Sequence, residues 1–287
     1  MKRILAILLA GLMLLSLAAC GGKDDDKVKI GVLQTGQMEG FQANEAHREH
    51  RQSEITVKRE YIPYSNLSAA LMDLESGRID EIGIEKCTAD YVIAHNDNIE
   101  SYEDSKEMTV FSMMTLDTNK EVYDILNNAI VEMKADGTLD SLIENELKAY
   151  IESDPLAKAL PHFDGARTIK IGVTGDLPPM DFVAANGKAA GFNIALLTEI
   201  ANRAQVNFEL VHIETGARAT ALSSGKVDAV FRTRSVTCKE CNKTFAENIE
   251  GTLVTESYFV EQQAFVIPKS DKESEHRIAG DVYASPA

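Results

Sequence analysis

Basic residues are scarce in this chain: 29 Lys and Arg stand against 45 Asp and Glu, for a formal net charge of −16. Neutralising a phosphate backbone needs clustered Lys and Arg, so nucleic acid is excluded as a partner, and an acidic, soluble surface accounts for the charge. Apolar runs are short as well. The longest, Ile4 to Ala19, falls below the roughly 20 residues of a membrane-spanning helix, and the polar stretch GGKDDDK follows closely. Cysteine is limited to Cys20, Cys87, Cys238 and Cys241. The pair in CKEC has no second Cys or His pair nearby to complete a four-ligand zinc site. Its flanks, TCKECNKT, read as a polar loop rather than the helix start that would activate a redox thiol, which leaves a local disulfide or idle thiols. His47 and His50, in EAHREH, read as part of a solvated helix face. No metal or cofactor is expected. The chain contains no Trp, yet 44% of its residues are apolar, enough for one large or two modest cores.

The first residues, MKRILAILLAGLMLLSLAAC, set Lys2 and Arg3 before an apolar segment ending in small residues, the layout of an export signal. The ending LAAC resembles the lipobox of bacterial lipoproteins. The resemblance implies a signal peptide over 1–19, cleavage before Cys20, lipid on the Cys20 sulfur, and a tether over 20–27. Acyl chains would then hold the protein on the outer face of a membrane.

LESGRID at 74–80 and LSSGKVD at 222–228 are nearly one phrase, and a matching strand precedes each: VKIGVLQTG at 28–36 and IKIGVTGD at 169–176. Helix-like and strand-like segments alternate in both halves, as expected of an α/β fold. In the second half, Phe192, Leu196, Ile200 and Ala204 recur at helical spacing, VNFELVHI reads as a strand, ARATALSSG as a short helix, and VDAVF as a strand. In the first, EITVKREYI, SNLSAALMDLESG and IDEIGI follow suit. The repeated phrase reads as a helix end: Leu74 and Leu222 pack beneath, while Gly77 and Gly225 make the turn into the next strand. Its role is structural.

Two such units leave a cleft where strand ends converge. The stretch IKIGVTGDLPPMDFVAANGKAAGFNIALLTEIANRAQVNFELV, with ALSSGKVDAVF and LVTESYFVEQQAFVIPKSD, resembles lobe 1 of the family 3 extracellular solute-binding proteins, the amino-acid receptors of ABC importers. YSNLSAALMDLESGRIDEIGIEKCTADYVIAHN is similar to their lobe 2, and FSMMTLDTNKEVYDILNNAIVEMKADGTLDSLIENEL to their closing segment. The resemblance implies a two-lobed, type II periplasmic-binding-protein-like α/β fold with its lobes in circularly permuted order. Lobe 2 spans 28–107 and is completed by 260–287, where QAFVIPKS crosses back; lobe 1 spans 108–259, and ESDPLAKALPHFDGAR joins the usual termini.

The same resemblance implies ligand-binding positions: Asp176, Met180 and Phe182 in GDLPPMDF; Ser235 and Thr237 after the GKVD strand; Glu85, five residues past Asp80, for a ligand ammonium; and Gly36 and Gln37, with Thr35, for an anionic group. The family Arg that clamps a carboxylate three residues past the Thr is replaced by Glu240. Arg232 and Arg234, two apart in FRTRS, are the substitutes, with Arg234 favoured and Arg218 third. The expected function is capture of a small polar molecule, an amino acid or related zwitterion, for delivery to an ABC permease. The alternatives are a ligand-sensing lipoprotein and an enzyme like the cyclohexadienyl dehydratases. No hydroxyl and base accompany Glu85 at a suitable spacing, so no enzymatic activity is expected.

Overall fold

A computed structural model describes residues 27–33, 58–238, 243–244 and 250–269. The expectations for Cys20 and its signal peptide, for Thr35, Gly36 and Gln37, for His47 and His50, and for Cys241 lie outside these residues. The fold is mixed α/β.

The first half opens with β1 (Lys27–Leu33), which pairs in parallel with both β2 (Lys58–Tyr64) and β3 (Glu81–Glu85). Helix α1 (Leu67–Glu75) begins where the Asn66 side chain accepts from the Ala69 amide at 2.9 Å. Helix α2 (Lys86–Ala94) follows β3 with no intervening loop. The second half repeats the plan. β5 (Thr168–Val173) pairs in parallel with β9 (Asn207–His212) and with β10 (Ala229–Cys238), and the short α6 (Arg218–Ser223) occupies the place of α1. Between the halves lie α3 (Lys120–Asp136) and α4 (Thr138–Leu142). Ahead of α6 come a three-stranded sheet of β6 (Asp176–Leu177), β7 (Asp181–Val183) and β8 (Ala189–Ala190), and helix α5 (Phe192–Ala204).

The echo between LESGRID and LSSGKVD now has a physical cause. Gly77 and Gly225 sit at φ +69° and +70°, where a glycine turns the chain without strain, and Leu74 and Leu222 are both buried. The aspartates ending each phrase do the same work. Asp80 Oδ2 accepts from the Lys29 amide and the Asp80 amide donates to the Lys29 carbonyl; Asp228 and Lys170 repeat this pair, with all four bonds at 2.8 Å. Each phrase thus clips its helix turn onto the edge of the first strand of its own half.

Two strands join the halves. β4 (Ile99–Leu116) and β13 (Phe259–Pro268) run antiparallel through the middle of the large sheet, whose order is β2-β1-β3-β13-β4-β10-β5-β9. Their register shifts between Gln262, opposite Met108, and Gln263, opposite Asp104. Such a bulge bends and twists a strand pair, and this one falls between two hydrophobic cores. The smaller core gathers Leu67, Ala70, Leu74, Ile82, Ile84 and Val92 with Ala264 and Val266 of β13. The larger gathers Phe111 and Met113 of β4, Val122, Leu126, Ile130 and Met133 of α3, and the apolar face of α5. A third, minor cluster lies around Val230, Leu222 and Met114. We refer to the regions around the smaller and larger cores as the two lobes.

Segment 152–167 lies along the larger lobe. Ala157 bridges Ala190, Leu160 and Phe163 pack on the core, and the Asn207 side chain accepts from the Phe163 amide at 2.8 Å while donating to its carbonyl at 3.0 Å. One local expectation is corrected. The stretch read as a polar loop after FRTRS begins as strand: β10 continues to Cys238 and pairs with β11 (Lys243–Thr244), Thr237 opposite Thr244. Pairing with β4 out to Glu107 opposite Cys238 supplies backbone hydrogen bonds that the polar sequence did not signal.

Candidate functional site between the two lobes

Several polar groups are buried where the carboxyl end of β3 faces the start of α6. Glu85 ends β3 and is half-buried. Burial pushes its carboxyl above the ordinary range, while the nearby Arg218 guanidinium pulls the other way. Arg218 is only 6% exposed, and it forms no hydrogen bond or ion pair with any described residue. Burial holds it below its ordinary pKa, against the opposing charges of Asp181, Glu85, Tyr258 and Asp176. A guanidinium out of water normally carries several hydrogen bonds, because desolvation without them costs several kcal/mol. Among the described residues, no acceptor lies within hydrogen-bond distance of its donors.

The neighbouring carboxylates are better satisfied. Asp181 accepts from the Thr174 amide at 2.8 Å, the Thr174 hydroxyl at 3.3 Å and the Gly175 amide at 3.1 Å, which fixes the turn from β5 to β6. Burial still raises its pKa. Asp176 reaches across the lobes: its Oδ2 accepts from the Leu67 amide at 3.3 Å, at the first turn of α1, while its Oδ1 is buried without a partner. The Tyr258 hydroxyl donates to Asn193 Oδ1 at 3.3 Å, and burial pushes its pKa well above the usual range.

On the crossing strands, Glu261 accepts from the Cys87 amide at 2.8 Å, so a carboxylate of β13 satisfies a free N–H in the first turn of α2. Burial raises Glu261 from its ordinary 4.5 to about 7, and the charges of Glu85 and Asp90 add to the shift. Burial, with the same carboxylate beside it, pushes the Cys87 thiol well above its ordinary pKa, so it stays protonated and a poor nucleophile. Opposite Glu261 on β4 stands Thr109, 4% exposed, whose Oγ1 has no partner.

The structure brings some sequence-predicted residues together and separates others. Glu85 and Asp176 both lie in this buried group. Phe182 faces the smaller lobe, its ring 6.3 Å from that of Tyr91. Met180 is 4% exposed within the larger core, where it packs with the protein's own side chains. Arg232, Arg234, Ser235 and Thr237 lie on β10, with Arg232 opposite Ser112 and Arg234 opposite Val110; their side chains lie outside the described ones. Among the described guanidinium groups, the one whose charge acts on Glu85 is that of Arg218, third in the sequence ordering. Glu261, Thr109 and Tyr258 were not singled out. A Glu inside the apolar run YFVEQQAFVIP was the available signal for Glu261. Among the described residues, no group of three or more His, Cys, Asp or Glu is arranged to hold a metal ion, and no helix is long and apolar enough to cross a membrane.

With a buried cation facing buried carboxylates between two lobes, the comparisons with known proteins become informative. Residues 169–277 match the bacterial extracellular solute-binding proteins, family 3. The matched stretch contains Asp176, Asp181, Arg218, Tyr258 and Glu261. No curated protein matches the chain. Among solved structures, the BvgS VFT2 domain of Bordetella pertussis is 14% identical, with 92% of this chain and 89% of that one covered and a TM-score of 0.45. The ancestral amino acid-binding protein AncCDT-1, a precursor of cyclohexadienyl dehydratase, is 12% identical, with 89% and 88% covered and a TM-score of 0.43. The periplasmic aliphatic sulphonate binding protein SsuA from Escherichia coli is 11% identical, with 90% and 70% covered and a TM-score of 0.41. At TM-scores below 0.5, these likenesses carry no argument about function.

Proposed function

We propose that this protein is a solute receptor that takes an amino acid between its two lobes and passes it to an ABC permease. In this reading the chain is held outside the cytoplasm by lipid on Cys20, and its lobes follow one another in permuted order. The observation that carries the reading is Arg218: a buried guanidinium, without a hydrogen bond or ion pair among the described residues, whose charge acts on Glu85 of the other lobe. A zwitterion resolves that arrangement. Its carboxylate meets the Arg218 fork, its ammonium meets Glu85, and one molecule satisfies a charge from each lobe. The family match over residues 169–277 supports the same class of function.

The protein binds its ligand without transforming it in this reading. The Cys87 thiol is kept protonated, and the Asp181 carboxylate is committed to backbone donors, so neither serves as a nucleophile or base.

Thermal unfolding against amino acids, small carboxylates, polyamines and short peptides tests the proposal. A ligand at 100 times its Kd adds about 2.7 kcal/mol to stability. A clear rise in Tm with amino acids is expected. No shift with any amino acid, or a shift only with compounds lacking a carboxylate, would overturn it.

A further inference from the structure

We propose that segment 152–157 is a strap that holds the two lobes together in the free protein: it is fixed to the larger lobe on both sides of Asp154, which latches onto Tyr91 and His95 of α2 in the smaller lobe. The proposal rests on the reading of two lobes that close around a ligand, and adds a protein contact that sets how readily they part.

The anchoring follows from what flanks Asp154. On one side Ile151 packs against the larger core. On the other, Pro155 is buried, Ala157 bridges Ala190 of β8, Lys158 pairs with Glu146, and Leu160 packs on the same core. Proline disfavours helical backbone at the residue before it, so extended chain is favoured at Asp154. The Asp154 side chain is exposed rather than folded back onto its own lobe, and its Oδ1 accepts from the Tyr91 hydroxyl at 2.6 Å, with His95 Nε2 3.8 Å from the same oxygen. The smaller lobe holds the donor ready. Tyr91 is buried in the smaller core, its ring stacks on His95 with centroids 4.1 Å apart, and His95 Nδ1 lies 2.8 Å from the Tyr91 carbonyl oxygen. Burial and the Asp154 carboxylate both push the Tyr91 hydroxyl pKa upward, so it keeps the proton it donates.

The strap is continuous with the site between the lobes. Ala157, Ala190, Phe182 and Asp176 stand opposite one another in a single row across the small sheet, and directly paired residues of antiparallel strands share a face. That sheet meets the smaller lobe at three further points: Asp176 accepts from the Leu67 amide at 3.3 Å, Leu177 packs against the smaller core, and the Phe182 ring lies 6.3 Å from that of Tyr91. Losing the Tyr91 to Asp154 bond therefore loosens the edge that carries Asp176. A hydrogen bond to a carboxylate, discounted for the exposure of Asp154, shifts an equilibrium between open and closed lobes by about 3- to 10-fold.

Small-angle scattering and amide hydrogen exchange of the free protein and its Y91F, D154A and Y91F/D154A variants test this. Phe at position 91 keeps a ring on His95 and removes only the hydroxyl. Y91F should have a larger radius of gyration than the parent, and its Leu67 amide, at the far end of the contact, should exchange about 3- to 10-fold faster. D154A should behave likewise, and the double variant should open no further than D154A, as expected when both changes remove one bond. The strap is overturned if Y91F matches the parent in scattering and in Leu67 exchange, or if the two changes add in the double variant. Amino acids at saturation should compact the variants to the parent's radius. If they bind neither parent nor variants, the amino-acid reading falls, while the difference between the free proteins still decides the strap.

Discussion

Replacing Arg218 with Met separates a ligand anchor from a structural cation. The side chain is buried without a hydrogen bond or ion pair among the described residues, so the free protein gains little direct contact from it. Replacing a buried charge that has no pairing partner relieves a desolvation cost of several kcal/mol, so the free variant should be at least as stable as the parent. The guanidinium does hold down the carboxyls of Glu85, Asp176 and Asp181. Without it their pKa values climb further, the folded state binds more protons than the unfolded one, and the variant's stability falls as pH rises. The gain should therefore be largest near pH 5 and smaller near pH 8. Binding responds in the opposite sense. Truncating one side of a buried, hydrogen-bonded charge pair costs about 2–5 kcal/mol, or roughly 30- to several-thousand-fold in Kd. Chemical denaturation at both pH values and titration with the best amino acid give the two readouts. An R218M protein that binds within about threefold of the parent would refute the anchor, since even the low end of that range is tenfold larger. A loss of stability of several kcal/mol without ligand would show instead that Arg218 holds the fold together.

Glu85→Gln keeps the shape of the site and removes the charge offered to an ammonium; we expect affinity to fall about 10- to 100-fold by titration, with stability at pH 7 unchanged or higher because burial disfavours the ionised carboxyl. Glu261 has its folded pKa raised from 4.5 to about 7, so the folded state keeps a proton that the unfolded state loses, and stability declines as pH rises through that window. The decline amounts to at most about 3 kcal/mol, and E261Q should flatten it in denaturation curves measured between pH 4.5 and 7.5. Asp80→Ala and Asp228→Ala each remove a carboxylate that accepts a strand amide at 2.8 Å, and each should cost about 1–3 kcal/mol in urea unfolding. Gly191→Ala should be more damaging, since φ is +98° and an added Cβ would meet the Pro179 carbonyl oxygen at 2.7 Å.

The repeated phrases made the plan of the fold legible, because hydrophobic spacing and glycine turns are local properties. Leu74, Gly77, Leu222 and Gly225 could be assigned their places from sequence alone. The pairing of Asp80 with Lys29 and of Asp228 with Lys170 could not, since it depends on which strand lies beside the turn. The extent of β10 was missed for a related reason: its outer half is polar, and its pairing with β4 is a matter of register that no local pattern signals. At the site, counting five residues past Asp80 located Glu85 at the end of a strand. The basic partner was harder to rank. Arg218 opens a short helix, and only packing could show that α6 buries it, while the side chains of Arg232 and Arg234 lie outside the described ones. Glu261 and Thr109 become neighbours through the pairing of β13 with β4, over a separation of about 150 residues that no motif spans.

A crystal structure of the protein grown with the amino acid that most raises its Tm, at saturating concentration, tests the central claim most directly. The account predicts the ligand's carboxylate on Arg218 and its α-ammonium on Glu85, each within the 2.7–3.2 Å of a hydrogen bond, roughly, with both lobes in contact with the same molecule. Density for the ligand elsewhere, or Arg218 paired internally with Asp181 or Glu85 and untouched by ligand, would contradict it.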